Sequence, residues 1–559
     1  MKLKSILPIV LALYSLTVHA QPYSFIKQLW GNGSDIAASV KFCNDGGIVV
    51  AGNSDSGINI GANQLNYSGG FVTKFDSSGN NLWIIKAGGN IPGFTYNQGL
   101  NNPGITVDDL NNIYVFGTFS DTAFVGNSFL AETGQYNCFL AKLDAAGNVI
   151  WLKKIADDAY ISGIAVDLNG NINITGHFWA ATYFDTIPLT PQGHTDILLA
   201  RYDNNGNLLW VKQAGGNDAF TGDYAFAIDV DAAGNIYVGG AIRSDASFDS
   251  LILIQTYPPD YSGFIAKYNP MGQVQWVKYC GYMCFTVAVD SSGNTYAGGN
   301  VDIHDLFDTT IVNYSGGGEG MFVASFNSSG SLNWVKKNLT NGEISTTYGV
   351  AVENNLCYAT GLYSDTITIY GTDSIAVQSS NCVVPGHERN AFIICLDTTG
   401  NPVFAKTLRG CTSASYGYCI DAKNCRIAST GIIKYPPAAV YFDNDSLIST
   451  GPFDGYLIVI DSCFSATDLS EFVSENNYIQ IYPNPASNSL HFQITAPDKF
   501  NRYELVLFDN DAKEVRRLPL NSPSGIYAIN VADLGSGTYY YSLRTQAKSI
   551  LTGKFVITR

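Results

Sequence analysis

A hairpin signature that recurs along most of the chain constrains the fold more than any other feature. It reads apolar-Val-Asp, two further residues, Gly-Asn, apolar-Tyr, two further residues and a closing Gly. Clear and degraded copies together end at Gly52, Gly117, Gly176, Gly240, Gly299, Gly361 and Gly431. Copies spaced by roughly 60 residues are typical of repeat proteins. The sequence therefore predicts seven similar structural units.

A second hairpin signature follows each copy of the first and ends on Trp-Val-Lys. Its turn begins with Asp or Asn, at Asp76, Asp144, Asp203, Asn269, Asn327, Asp397 and Asp461. An Asp or Asn side chain accepts backbone N–H bonds and opens a type I turn, and a Gly three residues later closes the hairpin. A calcium loop would need further acidic ligands and a late Glu, which these turns lack. We therefore interpret them as structural turns.

Two hairpins in each unit give four strands, and seven four-stranded sheets indicate a seven-bladed β-propeller. A linear β-solenoid is the alternative, but its coils are usually shorter and lack paired hairpin turns. The repeated aromatic residue of the fourth strand is expected to wedge between neighbouring blades. It occurs at Trp83, Trp151, Trp210, Trp276, Trp334 and Phe404.

The seventh unit ends after Asp461 without a Trp-Val-Lys strand. A matching segment, Phe25–Leu29, lies at the other end, with Phe25 in the Trp position. We expect this strand to complete blade seven and to close the ring, which removes exposed sheet edges. The whole pattern, over about residues 22–463, resembles the bacterial SBBP-type β-propeller repeat family. That resemblance implies a fold and no particular activity.

The start of the chain has the features of a secretory signal peptide. Lys2 and Lys4 precede a short apolar stretch, and Val18-His19-Ala20 is a small-residue cleavage motif. We expect residues 1–20 to be removed between Ala20 and Gln21. The propeller then occupies residues 21–463, a polar linker residues 464–477, and a separate C-terminal domain residues 478–559.

The C-terminal domain shows short alternating strands that suggest a small Ig-like β-sandwich. Its motifs are Tyr482-Pro483-Asn484-Pro485, a strand containing Gly537 and Tyr539, and a basic end with Lys554. This combination resembles the type A C-terminal sorting domain of the type IX secretion system of Bacteroidota. The resemblance implies a secretion translocon and a sortase as partners, and release or attachment to anionic lipopolysaccharide. An adhesive module without a sorting role is the alternative.

Charge and composition narrow the function classes. The formal net charge of −16 argues against nucleic acid as a partner, because phosphate binding needs clustered Lys and Arg. The few His residues form no zinc-binding motif, and no phosphate loop or nucleophile elbow is present. We therefore predict no cofactor, no metal site and no identifiable catalytic residue.

The chain has 11 cysteines, and export permits disulfides. Three bridges are hypotheses from their predicted positions: Cys280 with Cys284, Cys382 with Cys411, and Cys425 with Cys463. Unpaired buried thiols are the alternative for each pair.

The loops that join strands two and three, and those that join blades, share one face and vary most in length. Tyr257 and Tyr261 lie in one such loop, and His387, Glu388 and Arg389 lie in another. Aromatic and polar loop residues suit contacts with sugars or proteins. We expect a non-enzymatic surface or secreted propeller that binds a glycan or a protein. The alternatives are an exported carbohydrate-active hydrolase or lyase using carboxylates near the channel, and a purely structural surface component.

Overall fold

The fold is an all-β arrangement of two compact units, residues 1–463 and 464–559, in a computed structural model of the chain. The structure describes residues 23–89, 104–132, 136–220, 222–255, 260–302, 304–313, 319–338, 344–364, 366–369, 375–378, 389–410, 414–434, 439–442, 445–461, 479–482, 489–495, 504–508, 514–520, 524–535, 537–544 and 549–557. Within these residues no helix is long and apolar enough to cross a membrane.

The first unit is the predicted seven-bladed propeller. Blades one and two contain β2 (Asp35–Phe42), β3 (Ile48–Ser54), β4 (Ile58–Ile60), β5 (Asn63–Leu65), β6 (Gly69–Phe75), β7 (Asn81–Gly89), β8 (Gly104–Val107), β9 (Ile113–Phe119), β10 (Thr122–Val125), β11 (Ser128–Ala131), β12 (Asn137–Leu143) and β13 (Val149–Ala156). Blades three and four contain β14 (Ala159–Val166), β15 (Ile172–Phe178), β16 (Thr182–Phe184), β17 (Ile187–Leu189), β18 (Asp196–Tyr202), β19 (Leu208–Ala214), β20 (Tyr224–Val230), β21 (Ile236–Ile242), β22 (Ala246–Phe248), β23 (Leu251–Leu253), β24 (Ser262–Tyr268) and β25 (Val274–Tyr279).

Blades five and six contain β26 (Met283–Val289), β27 (Thr295–Val301), β28 (His304–Phe307), β29 (Thr310–Asn313), β30 (Gly320–Phe326), β31 (Leu332–Lys337), β32 (Thr346–Glu353), β33 (Leu356–Ser364), β34 (Thr366–Ile369), β35 (Ile375–Gln378), β36 (Arg389–Asp397) and β37 (Pro402–Gly410). Blade seven contains β38 (Ala414–Lys423), β39 (Arg426–Lys434), β40 (Ala439–Phe442), β41 (Asp445–Ile448), β42 (Phe453–Asp461) and β1 (Tyr23–Leu29).

The repeated turns form as the sequence predicts. In the turn between β18 and β19, Oδ1 of Asp203 accepts the N–H groups of Asn205 and Asn207, both at 2.8 Å. Gly206 has φ 73° and donates its N–H to the Asp203 carbonyl at 2.9 Å. The Asp carboxylate is thus occupied by the turn itself, as its role in opening a type I turn requires.

The repeated Trp side chains pack against the turn glycine of the following blade. Added methyl groups at Gly272 and Gly330 would lie 3.1 Å and 2.8 Å from the rings of Trp210 and Trp276. Phe25 takes the same place against Gly79, where the corresponding distance is 2.9 Å. β1 pairs antiparallel with β42, with Ile26 opposite Ile458. The ring therefore closes through the N-terminal strand, as predicted.

Each blade also holds a short third hairpin that the sequence did not indicate, between its second and third long strands. The pair β10–β11 is one example, and it docks on the outer strand of the preceding blade, with Phe124 of β10 opposite Gly88 of β7. The sequence predicted four strands per blade. The structure has six in each blade, four long strands and the two short strands of this hairpin.

The second unit contains two sheets. One joins β43 (Ile479–Tyr482), β44 (Ser489–Thr495) and β47 (Ser524–Asn530); the other joins β46 (Glu514–Pro519), β45 (Glu504–Phe508), β48 (Gly537–Arg544) and β49 (Ser549–Ile557). Both sheets contribute to one apolar core, which includes Phe492, Leu507, Ile529 and Tyr539. This is the small β domain expected from the sequence.

Candidate functional site

The innermost strands share a β-bulge at one position. The residue skipped by the ladder is Ala38 in β2, Ser162 in β14, Phe226 in β20, Phe285 in β26, Tyr348 in β32 and Tyr418 in β38. A bulge disrupts pairing and re-aims a side chain. In blades four to seven the re-aimed side chain is aromatic.

These four aromatic rings contact each other from blade to blade. The ring centroids of Phe226 and Phe285 are 5.1 Å apart, those of Phe285 and Tyr348 5.6 Å, and those of Tyr348 and Tyr418 5.9 Å. Tyr416 extends the series, 6.4 Å from Tyr418. Because Phe226, Phe285, Tyr348 and Tyr418 belong to four different innermost strands, the series follows the propeller axis around more than half of the blades.

A second series continues from Tyr224, whose ring stacks at 6.1 Å on Phe226. His177 lies 4.9 Å from Tyr224 and 5.5 Å from Tyr160, and Trp179 lies 5.0 Å from Tyr160. Tyr136 contacts both Tyr160, at 5.5 Å, and Trp179, at 5.3 Å. On the other side of Tyr224, Tyr261 lies at 6.3 Å and contacts Tyr282 at 5.9 Å. We call the combined set the aromatic arc: Tyr136, Tyr160, His177, Trp179, Tyr224, Phe226, Tyr261, Tyr282, Phe285, Tyr348, Tyr416 and Tyr418.

Most members of the aromatic arc lie where innermost strands begin or second strands end. These chain positions belong to the face with the blade-to-blade connections, which we call the loop face. Tyr224, Phe226, Tyr261, Phe285 and Tyr348 are half-buried and keep part of their surface accessible. A band of partly exposed rings at one face is the type of surface that binds ligands.

Burial determines the ionisation of the arc. It lowers the pKa of His177 to about 4, so the imidazole is neutral at physiological pH. Burial also raises the pKa of Tyr282 and of Tyr348 to about 12, and their hydroxyl groups stay protonated donors. At physiological pH these three members of the arc therefore offer a neutral imidazole and two O–H donors.

Cationic side chains flank the arc at two places. The guanidinium group of Arg243 lies 4.7 Å from the Tyr261 ring centroid, within cation–π range. Arg389 Nη1 lies 3.3 Å from the Tyr416 hydroxyl, and Lys434 Nζ lies 4.5 Å from the Tyr416 ring. Burial, followed by the positive charge of Arg389, lowers the pKa of Lys434 to about 8.

Carboxylates also occur near the axis, toward the opposite end of the innermost strands. Oδ2 of Asp229 accepts the N–H of Val289 in the next blade at 2.8 Å, and Oδ2 of Asp421 accepts that of Phe42 at 2.8 Å. Lys41 pairs with Asp421 at 3.0 Å. These bonds connect neighbouring innermost strands, and they give both carboxylates a structural role. Within the described residues, no group of three or more His, Cys, Asp and Glu side chains is arranged to hold a metal ion.

The structure brings two of the loop residues singled out from the sequence into this region. Tyr261 belongs to the arc, and Arg389, at the start of β36, contacts Tyr416. Tyr257, His387 and Glu388 lie outside the described residues. A role of any of these five residues in ligand binding stays a prediction.

Of the remaining predicted site residues, some lie outside the described residues and others lie within them. Ala20, Gln21, Pro483, Asn484 and Pro485 lie outside the described residues. Tyr482 ends β43, and Gly537 and Lys554 lie on the paired strands β48 and β49. The Tyr539 hydroxyl donates to the Gly535 carbonyl at 3.1 Å, and its ring is buried.

The cysteine predictions have mixed outcomes. Cys280 and Cys284 are buried free thiols, so the predicted bridge between them is not formed. The side chain of Cys280 hydrogen-bonds that of Cys284 instead, inside an apolar cluster with Phe307 and Phe322. Cys425, in the turn between β38 and β39, is disulfide-bonded. Its predicted partner Cys463 lies outside the described residues, as do Cys382 and Cys411, and both pairings stay predictions.

Sequence reasoning missed the aromatic rings at the bulges. A signal was available, because Phe226, Phe285, Tyr348 and Tyr418 each stand four residues before the end of the apolar run of the innermost strand. Neither the turns nor the packing between blades requires an aromatic residue there. This position varies between blades, so the repeated Asp, Gly and Trp residues do not reveal it.

Comparison with known proteins identifies the C-terminal domain. Residues 480–558 match the family described as the secretion system C-terminal sorting domain. Such a domain engages the type IX secretion machinery. An alignment of 186 residues in length, which covers 29% of the chain, is 28% identical to an uncharacterised WD repeat-containing protein of Acanthamoeba polyphaga mimivirus. The chain spans 13% of the length of that curated relative.

Solved propeller structures show weak similarity. A catalytically inactive virginiamycin B lyase from Staphylococcus aureus with quinupristin is 8% identical, with a TM-score of 0.33 over 78% of this chain and 99% of that one. Trypanosoma rangeli sialidase in complex with sialic acid is 9% identical, with a TM-score of 0.33 over 85% of this chain and 86% of that one. Similarities this weak carry no inference about activity or ligand. The protein is an exported seven-bladed β-propeller whose sorting domain sends it to the cell surface or into the medium.

Proposed function

We propose that the protein is a non-enzymatic binding protein that holds a carbohydrate against the aromatic arc. The observation that carries this proposal is the continuous series of contacting rings, most of them half-buried, that follows the axis at the loop face. Aromatic faces pack on the apolar faces of sugar rings, and the flanking tyrosine hydroxyl groups and arginines can donate to sugar hydroxyl groups. Export places such a surface where extracellular glycans occur.

Arg243, Arg389 and Lys434 narrow the ligand to one that tolerates or uses positive charge. A glycan with carboxylate or sulfate groups meets this condition, because charge-assisted hydrogen bonds from Arg are stronger than neutral ones. We include in the proposal that attachment to anionic lipopolysaccharide after export keeps the protein at the cell surface.

The test is a glycan array followed by calorimetry with the mature protein and two variants. Tyr348→Ala should weaken binding of the selected glycan by roughly ten-fold, the loss expected for a stacked ring of about 1–1.5 kcal/mol. Tyr183→Ala is the matched control, because Tyr183 is 63% exposed on the short hairpin β16–β17, outside the arc. Equal binding by all three proteins, or no glycan bound, would refute the proposal. Shortening of the bound glycan would instead support the exported hydrolase or lyase.

A further inference from the structure

The loop face carries one position in each blade whose side chain differs from blade to blade. It is the third residue after the closing glycine of the second long strand. Two blades have serine there, and the others have Asp55, Trp179, Arg243, Asp302 and Lys434. Because the second long strand ends at the loop face, this position sets the local charge of that face blade by blade.

The charges around this position are opposite in blade five and in blades six and seven. In blade five, Asp302 is accompanied by Glu319, which directly precedes β30. In blade seven, Lys434 lies opposite Phe453 of β42. In blade six, Arg389 begins β36 at the place that corresponds to Phe453, opposite a serine. The described side chains are therefore acidic at blade five and basic where blades six and seven meet.

Two cations and one tyrosine, Arg389, Lys434 and Tyr416, lie together where blades six and seven meet, and we call them the basic corner. Arg389 Nη1 lies 3.3 Å from the Tyr416 hydroxyl. Lys434 Nζ lies 4.5 Å from the ring centroid of Tyr416 and 5.1 Å from that of Phe453. Arg389 is exposed, whereas only 7% of the surface of Lys434 is accessible. A like charge raises the cost of burying a cation, and a bound anion lowers it.

The pKa of Lys434 reflects this environment. Burial first, and then the positive charge of Arg389, lowers it to about 8. Among the described residues, the titratable groups that contact Lys434 or act on its charge are Arg389 of β36 and Tyr416 of β38. Asp454 of β42 accepts hydrogen bonds from a glutamine side chain at 2.8 Å and from a backbone N–H at 2.7 Å. Lys434 is therefore charged at neutral pH and loses its charge as the pH rises through about 8.

The basic corner adjoins one end of the aromatic arc. Tyr416 belongs to both, and its ring lies 6.4 Å from that of Tyr418. Burial is the main cause of the raised pKa of Tyr348; among the weaker influences, the charge of Arg389 lowers this pKa and that of Glu319 raises it. Tyr348 thus lies within electrostatic reach of the basic corner and of acidic blade five. A ligand on these rings meets positive charge on one side and negative charge on the other.

We propose that the basic corner is a subsite for an oxyanion, the carboxylate or sulfate group of an acidic sugar, held between Arg389 and Lys434. This inference rests on the proposed binding of a glycan to the aromatic arc, and it says where the charged sugar of that glycan lies. The negative charges of Asp302 and Glu319 disfavour the reverse orientation, so the glycan binds in one direction.

The donors of the basic corner suit such a group. The guanidinium group of Arg389 presents a planar fork of N–H donors, and the ammonium group of Lys434 is a compact point charge. The Tyr416 hydroxyl accepts from Arg389 and keeps its own proton to donate to the anion. Charge-assisted hydrogen bonds of this kind are stronger than those to a neutral sugar hydroxyl group.

The first experiment measures the subsite without a glycan. In the full mature chain with isotope-labelled lysine, NMR follows the titration of Lys434, and Lys434→Met identifies its signal. Sodium sulfate or sodium acetate replaces sodium chloride at constant ionic strength. At least one of these anions should raise the pKa of Lys434 from about 8 to about 9, because the bound anion stabilises the charged form. An unchanged pKa with both anions would overturn the proposal.

The second experiment uses pairs of glycans that differ only in charge: oligogalacturonate with its methyl ester, and sulfated with unsulfated galactan oligosaccharides. The wild type should bind the charged member of at least one pair roughly ten-fold more tightly at pH 7. Which pair responds distinguishes a carboxylate from a sulfate ligand. The preference should decline above pH 8, where Lys434 loses its proton.

Variants assign this preference to the basic corner. Lys434→Met should lose both the preference for charged glycans and its pH dependence. Lys434→Arg should retain the preference at pH 9, because Arg stays protonated there. The matched control is Lys212→Met, which removes a lysine that pairs with Asp249 on the outer strand β19. It should behave like the wild type.

The outcomes separate this subsite from the proposed function. Equal affinity of the wild type for charged and neutral glycans would refute the subsite and leave glycan binding by the aromatic arc intact. A raised pKa of Lys434 with sulfate or acetate, without binding of any glycan, would support the subsite and refute the carbohydrate ligand. A preference lost in Lys212→Met as much as in Lys434→Met would overturn the proposal, because net charge rather than the basic corner would then select the ligand.

Discussion

At the scale of single residues, each repeated Trp contacts the next blade, and these contacts stabilise the ring. The indole N–H of Trp210 donates to the Pro270 carbonyl at 3.1 Å, and its ring covers Gly272. We expect Trp210→Ala to lower the free energy of unfolding by about 3 kcal/mol, because a large ring and a hydrogen bond are lost together. Leu209→Ala, on the same strand with a 52% exposed side chain, should change it by less than about 0.5 kcal/mol. Urea titrations of both variants measure these changes. Equal losses of the free energy of unfolding would contradict the role of Trp210 as a wedge between blades.

His177 gives a pH dependence that can be tested. Its folded pKa of about 4 lies below the ordinary value of about 6.5. Between these two pH values the unfolded chain binds a proton that the folded protein does not, so His177 stabilises the fold at neutral pH and progressively loses this contribution as the pH falls. His177→Phe keeps a ring between Tyr160 and Tyr224 and removes the titration. The wild type should lose up to about 3 kcal/mol more than the variant between pH 7 and pH 4. If the wild type and His177→Phe lose the same free energy of unfolding between pH 7 and pH 4, the titration of His177 does not contribute to stability.

At the scale of elements, the sequence predicted strands wherever a long alternating pattern met a turn signal. The turns at Asp203 and Gly206, and the closing strand Phe25–Leu29, follow from chemistry that acts within a few residues. The short hairpins, such as β16–β17, were missed because strands of three or four residues show no period. Their positions depend on the preceding blade, which lies far away in sequence. The aromatic arc was missed for a related reason, because it arises from bulges whose rings meet only in the closed ring.

The closing strand β1 is the element whose removal should matter most. Deleting residues 21–30 should expose the edge of β42 and the apolar surface under Phe25 and Leu29, which are both buried. We expect a strongly lowered unfolding midpoint and a larger radius of gyration in X-ray scattering. A peptide of residues 21–30 added in excess should restore part of the stability, and a scrambled peptide should not. A deleted protein as stable as the wild type would mean that the ring does not depend on β1.

At the scale of the whole molecule, fold and destination can be read from the sequence, whereas the ligand cannot. Turns and wedges repeat in most blades, so each copy strengthens the same inference. Tyr348, Arg243 and Lys434 vary from blade to blade, and their neighbours come from other blades. In this repeat fold, the repeated positions therefore specify the architecture, and the positions that vary between blades determine what the protein binds.

The division into two units predicts separable effects on stability and on export. Removing residues 464–559 takes away the sorting domain, and its core residues, such as Phe492 and Ile529, form no part of the apolar clusters of the propeller blades. We expect the truncated protein to fold but to accumulate in the periplasm, because the outer-membrane step needs the sorting domain. Cell fractionation with the full chain and with Trp210→Ala as a destabilised control distinguishes a sorting defect from a folding defect. Truncated protein that reaches the medium as efficiently as the full chain would contradict the assignment of this domain.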